Sequence, residues 1–157
     1  FPELVPPVPQ MRVTDAYRQH QEALAKACPR LYGMIAVTIE ANDDTLRKLL
    51  KARLHQGVSE YRRMQFSGDA VSGPPRPDIV RYSDCLLDVQ SAAIELWASR
   101  PKELVPWLEE LVLVVKNLER IARDQFTVGI KPPSELTAAR RLRLKFEAEL
   151  WKAKHVK

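Results

Sequence analysis

The chain has 157 residues, 45% of them hydrophobic and 29% charged, with only five glycines. That is enough for one domain with a real core, built without metals or many disulfides, and it argues against wholesale disorder. The net charge of +5 suits a polyanion, but acidic residues interleave the basic ones, so nucleic acid is not the expected partner.

Residues 1–13 carry a cluster of prolines and read as an extended tether. The remainder, 14–157, reads as a single helical domain. Thr14 is the expected N-cap of a first helix that runs to Ala27 and is stopped by Pro29. Its apolar stripe is narrow, so peripheral packing is expected. Residues 31–41 read as an extended or irregular connector or a short helix, because Val37, Thr38 and Ile39 favour strand but one strand cannot stand alone. Asn42, Asp43 and Asp44 supply caps for the next helix. There Leu46, Leu50, Leu54, Val58, Tyr61 and Met64 recur three and four apart along one face. Gly57 lowers helix propensity without forcing a break.

A Gly- and Pro-rich loop follows. A helix from about Asp78 to Ala98 then carries Ile79, Tyr82, Leu86, Val89, Ala93, Leu96 and Trp97. Pro106 is read as a first-turn proline opening the next helix, with Glu109 and Glu110 near its start as dipole-compensating charges. Its longest fully apolar run, Leu111 to Val115, is five residues. That is far short of the roughly 18 needed to span a membrane, and it marks this helix as the most buried. Gly129 suits a left-handed residue closing it. Pro132 and Pro133 block continuation, Ser134 caps, and a last helix follows with Leu136, Ala139, Leu142, Phe146 and Leu150 on its stripe. Leu144, Ala148 and Trp151 are expected to widen that stripe.

The stretch from Glu60 to Leu96 and the stretch from Ile121 to Leu150 share an order of parts: a Gln-Phe pair, Gly, prolines, and a helix containing Glu-Leu. In each the helix is read as ending at that Glu-Leu, Leu96 in the first and Leu150 in the second, and this echo predicts two similar helical hairpins. The expected fold is therefore all-α, an antiparallel bundle of four to five helices built from two hairpins.

Chemistry is sparse. His20, His55 and His155 lie far apart with no second ligand at helical spacing, so no metal and no cofactor is expected. No phosphate loop, dinucleotide fingerprint or nucleophile elbow occurs, and no catalytic residue is assigned. Cys28 and Cys85 could form one disulfide or be two buried free thiols. Arg143 should pair with Glu147 and Lys145 with Glu149 on a solvated face. Trp97, Trp107 and Trp151 lie near helix ends and read as core closure there. With Arg140 and Arg141 they are also the candidate partner surface.

Gly129, Pro133, Ser134, Glu135, Leu136, Ala139, Leu142, Glu147 and Leu150 form a pattern that resembles the helical repeat of outer-membrane efflux factors of the TolC type. "DTLRKLLK" (44–51) followed by this ending is similar to small bacterial helical proteins. The resemblance implies helical hairpins and an envelope location. It implies no channel and no catalytic or ligand residue. The expected function is a non-enzymatic helical interaction or scaffold protein whose partner is another protein or a second copy. The alternatives are a small-ligand or metal sensor in the bundle interior and a basic nucleic-acid module. A start at Phe1 reads as a trimmed chain and, with a bridge, as periplasmic; two free thiols would read as cytoplasmic.

Overall fold

The computed structural model describes residues 8–66, 79–129 and 133–155. Among them the chain forms five helices and no strand: α1 Val8–Ala27, α2 Thr45–Phe66, α3 Ile79–Leu96, α4 Pro101–Thr127 and α5 Pro133–Lys154. The fold is the expected all-α bundle. Arg53 of α2 bonds Asp88 of α3 at 2.9 Å, and Arg81 of α3 bonds Glu60 of α2 at 3.1 Å. Rising numbers on one helix meet falling numbers on the other, so the pair is antiparallel. The same holds for α4 and α5, where Glu119 meets Arg140 and Lys116 meets Glu147. The first hairpin meets the second through α3, while among the described residues α1 packs on α4 and on no other helix.

α1 begins at Val8, so the Pro-rich stretch read as a tether through residue 13 is helical from Val8 onward. Pro9 falls at the second helical position, where its missing N–H breaks no intrahelical bond, and Thr14 is inside the helix rather than its cap. Residues 1–7 lie outside the described residues. Between α1 and α2 the connector is turns and irregular backbone, with Gly33 at φ +77°.

Asp44 caps α2, its Oδ1 accepting the Arg47 N–H at 2.7 Å. Asp43 is turned inward, where it accepts the Lys51 ammonium at 2.6 Å and the Glu40 N–H at 2.8 Å. Leu50, Leu54, Val58, Tyr61 and Met64 are buried as expected, but Leu46 is 62% exposed. Arg47 donates to the Leu96 carbonyl at 3.4 Å. The first turn of α2 is thus level with the end of α3, and the stripe outruns its cover. Every expected stripe residue of α3, Ile79 through Trp97, is buried.

α4 opens at Pro101, with Pro106 inside the helix rather than in its first turn. It buries residues on several sides, including Trp107, Leu111, Val114 and Leu118. Gly129 has φ +76° and its N–H bonds the Phe126 carbonyl at 3.0 Å, the left-handed closure the sequence called for. Pro133 is the first residue of α5, so Ser134 sits within the first turn and is not the cap.

Gly57 permits the tight α2–α3 contact. A Cβ there would stand 2.6 Å from Val89 Cγ2 and 3.4 Å from the Cys85 carbonyl. Val89 is stiff at χ1 and fully buried. Gly57→Ala should therefore destabilise the protein by about 1–2 kcal/mol, the overlap outweighing the helix-propensity gain. Val89→Ala should reverse part of that loss in the double variant. Urea unfolding checks both, and a more stable Gly57→Ala would contradict the close contact.

Candidate functional site

The orientation of α5 is set from α4. Glu119 is only 4% exposed, and a buried carboxylate must be met by donors. Arg140 approaches it at 3.3 Å, Arg123 at 3.5 Å, and Arg143 bonds its second oxygen. Burial alone would push the Glu119 carboxyl up. The Arg143 and Arg140 guanidiniums outweigh burial and hold it below its usual range. Arg143 also donates to Glu147 at 3.1 Å, the expected i,i+4 pair, and Lys116 of α4 lies 3.7 Å from the same carboxylate. Glu149, expected to pair with Lys145, bonds Lys152 at 3.2 Å.

These bonds fix which strip of α5 meets the core. Ala139, Leu142 and Phe146 turn in and are buried, with Leu136 and Leu150 half-buried beside them. Leu144, Ala148 and Trp151, expected to widen that stripe, face outward instead. Leu144 is 54% exposed and Trp151 is 62% exposed. The apolar residues cover more of the circumference than one neighbouring helix can shield, so the leftover strip faces solvent. Trp151 stacks on His155, ring centroids 4.2 Å apart.

The candidate partner surface therefore divides. Trp97 and Trp107 are buried and stacked at 5.8 Å, closing the α3–α4 turn, so they are core. Arg140 is half spent on Glu119. Arg141 and Trp151 are exposed.

A second carboxylate, Glu110, which the sequence presents as a helix-start charge, has a different role. It lies well inside α4, is buried, and receives the backbone N–H groups of Arg30 and Leu31 at 3.0 and 3.1 Å and the Arg30 guanidinium at 2.9 Å. It fastens the connector to the bundle. Lys51 is buried and bonds Asp43 and the Thr38 carbonyl, a role that no local sequence signal marks. The Lys51 ammonium and the Glu40 N–H hold the Asp43 carboxyl at about 2.

An open cleft of about 670 Å³ lies beside this connector, lined by Arg47, Lys51, Arg100, Lys102 and the edges of Trp97 and Trp107 among others. Arg47 and Lys51 already serve Asp43, and Arg100 sits 3.7 Å from Glu103. Much of its positive charge is thus internally balanced.

The possible Cys28–Cys85 bridge is not formed: both thiols are free and buried. Cys28 Sγ is directed at the Glu110 carbonyl of α4 at 3.7 Å, and Cys85 Sγ at the Tyr82 carbonyl of its own helix at 3.5 Å. Burial, reinforced by Glu110 for Cys28 and by Glu60, Asp88 and Asp84 for Cys85, pushes both thiols up to about 12. Among the described residues no group of three or more His, Cys, Asp or Glu lies together as metal ligands. His20 bonds Asn117 at 2.7 Å, tying α1 to α4, while His55 and His155 are exposed. Among the described residues no helix is long and apolar enough to cross a membrane.

Fold and site together define an antiparallel bundle of two helical hairpins with one basic, apolar-seamed outer helix. No family model, no curated protein and no solved structure matches the chain.

Two outcomes follow. In native protein at mildly alkaline pH neither thiol should react with a thiol-specific dye, and both should react after unfolding; rapid native labelling would contradict their burial. Glu119 and Asp43 both have folded pKa values below their ordinary values of 4.5 and 3.8. Their contribution is complete above those values and is lost as pH falls through the folded ones, toward about 2 for Asp43. Glu119→Gln should cost about 1.5–3 kcal/mol near neutral pH, the range for hydrogen bonds to charged groups. It should also flatten the acid limb of a stability-versus-pH curve. An unchanged limb would contradict the ion-pair assignment.

Proposed function

We propose that the chain is a non-enzymatic helical interaction protein that presents the outer face of α5 to another macromolecule. The observation that carries this reading is the outward strip of Leu144, Ala148 and Trp151. A large aromatic ring exposed on a helix, stacked on a neighbouring ring, is the kind of anchor that dominates binding energy at interfaces. Isolated exposed apolar residues need no explanation. Here three share one helix face at spacings of four and three.

The mechanism is positional. α4 holds α5 by buried ion pairs, and α5 holds the seam. No bond is made or broken. The resemblance to efflux-factor repeats contributes hairpin architecture to this reading and no chemistry. Two unpaired thiols favour a reducing compartment over the bacterial envelope.

A photo-crosslinking amino acid placed at Ala148, in the cells that make the protein, should give a discrete adduct. The same probe at exposed His55 on α2 should give none. Absence of any adduct at Ala148, or equal adducts at both positions, would contradict the reading.

A further inference from the structure

The partner's chemistry is written in the charges that flank the seam. At about 100° per residue, Leu144, Ala148 and Trp151 fall in one narrow strip of α5. Arg141, Lys145 and Lys152 run along one side of it, and Arg140 and Lys154 along the other. All five cations are exposed. The acidic residues of the helix, Glu135, Glu147 and Glu149, are each half-buried. Glu147 bonds Arg143 and Lys116, and Glu149 bonds Lys152. Every exposed charged side chain described on α5 is therefore cationic. Arg141, Lys145 and Lys154 have no ion-pair partner among the described residues.

We infer that α5 docks an amphipathic helix whose apolar seam is flanked by carboxylates. An apolar line with like charges on both flanks is the geometry by which one helix selects another of opposite flanking charge. Ala148, small and central between Leu144 and Trp151, lets a partner backbone come close while the two large residues fit between its side chains. A second copy meeting α5 through α5 would bring basic flanks together, so charge opposes that pairing. An anionic bilayer would also attract the cations. An interfacial helix, however, needs a broad apolar sector to insert. Here Ala139, Leu142 and Phe146 are already used against the bundle, leaving two bulky residues for a membrane. The strip suits a helix better than a surface.

This inference rests on α5 being an interaction face, and the two can fail separately. The probe is a synthetic helix with leucines on one seam and glutamates on both flanks, labelled and followed by fluorescence anisotropy with the intact chain. Binding should weaken about tenfold or more as salt rises through the range that screens exposed charges. It should fall by a similar factor in Trp151→Ala and in the Arg141→Glu/Lys145→Glu double variant, whose fold is checked by circular dichroism. A matched peptide with lysine flanks should not bind. Equal binding of the lysine peptide, or no loss in Trp151→Ala, would overturn the inference. So would cosedimentation with phosphatidylserine vesicles that depends on Trp151, or a dimer in sedimentation that is lost in Trp151→Ala. If the acidic peptide fails to bind while the crosslink at Ala148 persists, the acidic-helix partner is wrong and the interaction face stands.

Discussion

A carboxylate buried in a helical bundle must be met by donors, and on α4 two such carboxylates set the positions of their neighbours. Glu119 gathers Arg140 and Arg143 from α5 with Arg123 from its own helix. Glu110 gathers two backbone N–H groups and a guanidinium from the connector after α1. Apolar contact is non-directional, and a helix with apolar residues around much of its circumference could present more than one strip to the core. Directed bonds to a buried charge choose among those strips. Buried ion pairs are uncertain contributors to net stability, and fixing one arrangement among several is the better-attested use of such groups.

Once α5 is locked in that rotation, its outer face follows. Leu144, Ala148 and Trp151 cannot turn inward without pulling Arg140 and Arg143 from Glu119. Glu147 is drawn into the same network through Arg143, and Glu149 bonds Lys152, so the exposed charges of the helix are cationic. Interior electrostatics and exterior character are thus two sides of one arrangement. The first hairpin relies on closeness instead. Gly57 lets α2 approach the backbone of α3, and Tyr61, meeting Tyr32 and Tyr82 edge-on at 5.7 and 5.9 Å, fills the space beyond.

Much of the fold was legible because its signals are local. Asp44 capping α2, Gly129 in the left-handed region after α4, and the unbroken stripe from Ile79 to Trp97 each depend on a few neighbouring residues. The errors arose where a longer reach was needed. Pro106 and Pro101 are equally good helix starts by local chemistry, and starting at Pro106 makes Glu110 look like a charge near the helix start. Phe146 and Trp151 are both large, apolar and on one helix, and periodicity could not say which would be covered. The answer lay on α4, in Glu119, twenty-one residues before Arg140 in the chain. Cys28 and Cys85 posed the same problem: their number was plain, but their directions were set by carbonyls on other turns. The candidate partner surface is legible only in its exposure: Arg140, Arg141 and Trp151 are exposed, Trp97 and Trp107 belong to the core, and Leu144 and Ala148 lie outside the stripe that periodicity puts them in.

The rotation of α5 can be measured directly by placing a nitroxide spin label at each position from 139 to 154 in turn and recording its accessibility to a polar relaxation agent. A helical period is expected, with maxima at 141, 144, 148 and 151 and minima at 139, 142, 146 and 153. Minima at 144 and 151, or a profile without period, would contradict it.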